Sequence, residues 1–213
     1  MIPKLHYISQ GSSLKEHLEN IQYACNSGAE LVQLRLKTDS EKKLLKFANE
    51  AREITSHFQT RLIINDHYKV AKEVKADGVH LGKTDACPTV ARKHLYTWQM
   101  IGGTANTLQD CETLLEKEVD YISLGPFRNT TTKDNLSPVL GLNGYTAIVD
   151  VLKTETPIIG VGGITTDDVT AILETGVSGI AVSGAVTRDF NSIKTFNQLL
   201  SASSTDEQVY TFK

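Results

Sequence analysis

Eight short runs rich in β-branched residues recur along the chain, and each is followed by a longer stretch with helical character. The runs are KLHYIS (4–9), LVQLRL (31–36), RLIIND (61–66), GVHLGK (78–83), MIGGTA (100–105), YISLGPF (121–127), PIIGVGG (157–163) and GIAVSGAV (179–186). Most are nearly continuous in apolar residues instead of alternating in and out, which is the pattern of parallel strands covered by helices. Eight such units in 213 residues fit an α/β (β/α)8 TIM barrel at the short end of that fold's range. An open doubly wound sheet has fewer units and a glycine-rich phosphate loop after its first strand, whereas here only QGSS (10–13) follows. The expected organisation is one barrel domain over residues 1–203, with a polar, aperiodic tail over 204–213.

Helix boundaries are legible in two places. In LKEHLENIQYACNSG, Leu14, Leu18, Ile21 and Ala24 or Cys25 repeat at three and four, and Gly28 closes the segment. TTDDVTAILETG opens on hydroxyl and acidic residues, which cap free amides and match the helix dipole, and it ends on Gly176.

Composition removes several classes of function. The chain is 40% hydrophobic and 22% charged, with 22 Lys and Arg against 25 Asp and Glu, a formal net charge of −3. That supports a packed core and gives no basic surplus for a phosphate backbone, so nucleic acid is not an expected partner. No segment approaches the roughly 18 apolar residues of a membrane span, and MIPKLHYIS lacks a signal sequence's apolar stretch. Cys25, Cys87 and Cys111 stand far apart and form no CxxC pair, so a disulfide framework or zinc site is not indicated. A cytoplasmic location follows as the expectation, as does a homodimer, the commonest closed assembly.

Polar residues collect where the strands end. In LVQLRLK the alternation of side chains puts Gln33, Arg35 and Lys37 on one face, pointing into the barrel mouth. A guanidinium set deep in a barrel needs a partner, which points to an anion. Strand three ends in Asn65-Asp66 and Asp85 follows strand four, so two carboxylates leave neighbouring strands. Each could serve simply as a helix cap. Together with the strand-two cations they suit Mg²⁺, which takes one or two carboxylates and completes its octahedron with water and substrate phosphate. GVGGI (160–164) and AVSGAV (181–186) close strands seven and eight, where such barrels commonly bind phosphate on backbone amides. The irregular stretch RNTTTKDNLSPVLGLNG (128–144) should lie over the same mouth, and its Thr130, Thr132 and Lys133 suit a second phosphate. His80 is expected to pack in the barrel, His67 to open a helix, and the other histidines to lie at the surface.

Taken in order, VQLRLK, INDH, GVHLGKTD, IGGTANT, DYISLGPFRNTTTK, PIIGVGGI and GVSGIAVSGAV resemble the successive motifs of the thiamine-phosphate synthase family, from about Leu31 to Val186. The resemblance implies a (β/α)8 enzyme that joins a pyrimidine diphosphate to a thiazole phosphate, releases pyrophosphate and uses Mg²⁺. Position by position it implies that Gln33, Arg35, Lys37 and Asn65 hold the diphosphate substrate, with Arg35, Lys37 and Lys133 acting on the leaving group. Asp66 and Asp85 would bind the metal, and Thr104 stands where the family usually has serine. Thr130, Thr132, Gly163, Ser183 and Gly184 would hold the thiazole phosphate. Departures from the family pattern are Asn106 for a histidine, Lys83 for a glutamine and His67 for an arginine. Two alternatives share the barrel: the related thiazole tautomerase, whose acid–base histidine would be this Asn106, and a regulatory barrel that binds a thiamine-related phosphate without turnover.

Overall fold

Residues 1–37, 40–129 and 138–202 are described by a computed structural model of the chain. Eight strands, β1 (Leu5–Ile8), β2 (Leu31–Leu34), β3 (Arg61–Asn65), β4 (Gly78–Leu81), β5 (Met100–Ala105), β6 (Tyr121–Leu124), β7 (Ile158–Val161) and β8 (Gly179–Val182), pair in parallel in chain order. β8 returns to β1 through Leu5 opposite Ile180, so the expected barrel is closed. Around it run α1 (Leu14–Asn26), α2 (Glu41–His57), α3 (Tyr68–Glu73), α4 (Pro88–Arg92), α5 (Leu108–Glu116), α6 (Gly141–Leu152) and α7 (Val169–Glu174). Two helices, α8 (Gly184–Arg188) and α9 (Ser192–Ala202), follow β8 where the sequence pattern suggests one, because Asp189 breaks the helical path with extended backbone.

Local sequence accounts for the helix ends. Ser13 accepts the Glu16 N–H at the start of α1, whose buried face carries Leu18, Ile21, Ala24 and Cys25 as their spacing requires. Gly28 then turns the chain at φ +94°, in the left-handed region that glycine tolerates. Before α7, Thr165 and Asp168 cap one another's backbone, and a short 3-10 turn (Thr166–Asp168) precedes the α-helix proper. Cys25 and Cys111 are buried core residues.

Two devices fix the barrel's shape. At its floor, Asp77 just before β4 accepts the Leu62 N–H of β3 at 2.8 Å and pairs with Arg52 at 2.6 Å. Asp120 just before β6 repeats this with the Ile101 N–H of β5 at 2.7 Å and with Arg92 at 2.6 Å. Ser178 before β8 does so more weakly, accepting from Ile158 of β7 at 3.3 Å. Higher up, the buried Tyr145 hydroxyl of α6 donates to the Leu124 carbonyl at 2.9 Å and accepts from the Val161 N–H at 3.1 Å, joining β6 to β7.

Inside the barrel, Tyr121 fills the centre. Its ring stacks on His80 and meets His6 edge-on, and a Cβ added to Gly102 would fall 2.0 Å from it. Glycine at 102 is therefore a packing requirement. His6 corrects the sequence reading, which set it at the surface: β1 is an interior stave of a closed barrel, and the imidazole is buried. Its Nε2 meets the Pro3 carbonyl at 3.0 Å while Nδ1 has no partner, and burial pushes its pKa down to about 4.

Candidate active site

A cavity of about 880 Å³ opens at the carboxyl ends of the strands. Strand ends and βα loops of the whole ring contribute to it, as expected of a barrel enzyme. Among its described lining residues the charged side chains are Arg35, Lys37 and Arg188, with no Asp or Glu. A chain with a net charge of −3 thus lines the described part of its mouth with positive charge, which favours anions.

The second strand carries the largest change from the sequence reading. β2 stops at Leu34, because the Arg35 N–H turns to the Ser9 hydroxyl at 3.0 Å. Gln33 is buried at 3% exposure, Arg35 is half-buried and Lys37 is exposed, so the three climb out of the barrel into the mouth. Gln33 is as deep as expected, and Arg35 is shallower. Arg35 makes no ion pair among the described residues, and it lines the cavity. The same Ser9 hydroxyl meets His17 Nδ1 at 2.9 Å. Burial holds His17 below the ordinary imidazole range, with nearby Arg35 adding to the effect.

On the neighbouring strands Asn65 and Thr104 line the cavity as expected. Thr104 Oγ1 lies 2.9 Å from His80 Nε2, and His80 Nδ1 lies 3.2 Å from the Tyr121 hydroxyl, so a buried polar chain supports the strand-five hydroxyl from below. His80 packs in the barrel and also faces the site.

Asp66 and Asp85 stand outside the cavity lining, on the loops after β3 and β4. Asp66 adopts φ +66° while its N–H bonds the His80 carbonyl at 2.8 Å. Asp85 folds back to accept the Gly82 N–H on Oδ2 at 2.6 Å, and it is half-buried. Two hard oxygen donors on adjacent loops match Mg²⁺ chemistry, since that ion keeps several waters and takes few protein ligands.

Gly163 and the Ser183-Gly184 turn line the opposite side of the same cavity. Gly163 has φ +71°, and a Cβ there would lie 2.5 Å from Arg128 Cγ. Arg128 donates to the Gly163 carbonyl at 3.0 Å and forks onto Asp168 at 2.9 and 2.6 Å, fastening the loop after β6 to the turn after β7. Thr130, Thr132 and Lys133 lie outside the described residues, as does the expected tail over 204–213.

Two departures from the family pattern form one network. Lys83 pairs with Asp110 at 2.5 Å, Asp110 accepts the Asn106 N–H at 2.9 Å, and the Asn106 amide donates to the Gly125 carbonyl. Asp110 is held below the usual carboxylate range; burial opposes this, and the Lys83 hydrogen bond and the capping amides outweigh it. The sequence reading missed Ser9, His17, Ser123, Arg128 and Arg188 at this mouth. Only Ser123 could have been placed from its motif, YISLG; Ser9 and Arg128 depend on loops, and His17 and Arg188 on how α1 and α8 sit over the mouth, which strand periodicity does not encode.

A family model for thiamine monophosphate synthase matches residues 5–186. The chain belongs to this family. A thiamine-phosphate synthase of Flavobacterium johnsoniae is 43% identical over 190 residues, spanning 88% of this chain and 90% of the relative. That of Bacteroides thetaiotaomicron is 42% identical over 187 residues, spanning 86% and 90%. Among solved structures, a thiamine phosphate pyrophosphorylase from Pyrococcus furiosus superposes with a TM-score of 0.81 at 28% identity, covering 93% of this chain and 96% of that one. In this family member Gln33, Arg35, Lys37, Asn65, Thr104, Gly163, Ser183 and Gly184 all line one cavity.

Proposed function

We propose that the protein is a transferase that joins 4-amino-2-methyl-5-hydroxymethylpyrimidine diphosphate to 4-methyl-5-hydroxyethylthiazole phosphate and releases pyrophosphate, in thiamine biosynthesis. The observation that carries the reading is the set of cations, with no carboxylate, among the described lining residues of a net-acidic chain, on a fold shared with named synthases.

Gln33 and Asn65 supply amide donors and acceptors at depth for the pyrimidine diphosphate, while Arg35, Lys37 and Lys133 meet the diphosphate charge. The 4-aminopyrimidine can expel diphosphate because its ring delocalises the resulting methylene cation. Arg35, Lys37 and Lys133 stabilise the charge that develops on the departing group, and the thiazole nitrogen, held by its phosphate, captures the cation. No protein nucleophile is required. Gly163 and the Ser183-Gly184 turn hold the thiazole phosphate on backbone amides, with Thr130 and Thr132 completing that pocket. Asp66 and Asp85 would hold Mg²⁺, which when bound neutralises diphosphate oxygens.

Asn106 separates this reading from the tautomerase alternative, since its amide is spent on the Gly125 carbonyl and cannot move a proton at neutral pH. No described helix is long and apolar enough to cross a membrane. A cytoplasmic homodimer completes the proposal, and light scattering tests the assembly. Pyrophosphate release measured with both substrates and with each alone tests the reaction. Release only with both supports the synthase; none with both, despite binding, leaves the regulatory barrel.

A further inference from the structure

We infer that Arg188 is a side-chain anchor for the thiazole phosphate, an inference that rests on the proposed function and adds a residue to it. Arg188 is four residues beyond Gly184, so the two share one face of α8. Its guanidinium folds back over the turn, with Nη1 3.1 Å from the point where a Cβ on Gly184 would sit. Gln10 Oε1 lies 3.5 Å from the same point and 3.4 Å from Ser183 Oγ. The space left by the missing Gly184 side chain is thus framed by a guanidinium, an amide and a hydroxyl, all facing the cavity.

Like that of Arg35, the charge of Arg188 is uncommitted among the described residues. Arg52, Arg92 and Arg128 are each tied to an aspartate, at 2.6 Å in every case. Arg188 makes no ion pair or hydrogen bond among the described residues, although Asp189 is its chain neighbour; that carboxylate accepts the Asn191 N–H instead. An exposed arginine on a cavity whose described lining holds no carboxylate gains most from an anion, and a guanidinium matches two phosphate oxygens at once. Arg188 follows β8 and Arg35 follows β2, with β1 between them. Arg188 therefore serves the monophosphate side of the mouth and Arg35 the diphosphate side. Its consequence is discrimination: the phosphorylated thiazole is preferred over the free alcohol through this side chain as well as through backbone amides.

The test uses Arg188→Ala and Arg188→Lys in the full chain, with steady-state kinetics and calorimetric titration of thiazole phosphate and of the unphosphorylated thiazole alcohol. For Arg188→Ala the KM for thiazole phosphate should rise about 10- to 100-fold, the loss expected for a charge-assisted hydrogen bond. The kcat at saturation, the KM for the pyrimidine diphosphate and the weak affinity for the alcohol should stay within about twofold, the scatter expected of a site left intact. Arg188→Lys should recover part of the loss. An unchanged KM for thiazole phosphate overturns the assignment, and so does a rise in the diphosphate KM alone. The titrations need no turnover, so they judge Arg188 even if the wild-type protein fails to form product, a failure that would count against the proposed reaction.

Discussion

Half-exposed and without an ion pair among the described residues, Arg35 contributes little to stability. Arg35→Ala should lower kcat about 10²- to 10³-fold, the usual loss when a charge-stabilising donor is removed, while the melting temperature stays nearly constant. Unfolding of the variant would instead make Arg35 a structural residue. Alternation along LVQLRLK places it on the mouth side of the barrel, and there it is found. Its degree of burial was not legible in the sequence, because strand length depends on the Ser9 hydroxyl, a contact between residues 26 apart. His6 is the opposite case, invisible to periodicity because a polar residue within an apolar strand reads as an exposed one. The unfolded chain takes up its proton near pH 6.5 and the folded chain only near 4. Stability from neutral His6 is therefore full above about pH 6.5 and falls as pH drops toward 4, by about 3 kcal/mol for a shift of this size. Urea midpoints from pH 7 to pH 4 should fall more steeply for wild type than for His6→Phe, and equal slopes would remove His6 as the cause.

At the level of elements, strands and helix ends were legible because they are local: apolar β-branched runs, the hydroxyl and acidic opening of TTDDVTAILETG, Gly28 and Gly176 act within a few residues. The floor staples were not, although ADG, VDY and VSG before β4, β6 and β8 repeat a pattern in the sequence. Their meaning depends on the preceding strand's N–H and, for the two aspartates, on an arginine from a helix. Asp120→Ala should cost about 1–2 kcal/mol by leaving the Ile101 amide unpaired, with substrate KM values unchanged. Gly102→Ala should cost more, because its Cβ would overlap the Tyr121 ring and the closed barrel leaves that ring no room. Thermal melts of the two variants check the order, and a Gly102→Ala protein as stable as wild type would contradict the packing account.

Across the whole molecule, closing β8 onto β1 brings residues from Ser9 to Arg188 around one mouth, so the site exists only once the barrel is complete. Motif order in the sequence named most of this ring, Arg35 and Lys37 included, while Ser9, His17 and Arg188 came from geometry. The two anion pockets should be separable. Gly163→Val, which forces a side chain into a left-handed backbone against Arg128, should weaken thiazole-phosphate binding and leave pyrimidine-diphosphate binding little changed in a folded protein. Calorimetric loss of both ligands together would merge the pockets. We propose that this mouth joins the two substrates with a divalent ion at Asp66 and Asp85. Its most direct test is the yield of thiamine phosphate from both substrates with Mg²⁺, after chelation, and after Mg²⁺ is restored. One thiamine phosphate per pyrophosphate, lost on chelation and recovered with Mg²⁺, is the predicted result; no thiamine phosphate under any condition, or full yield after chelation, would contradict it.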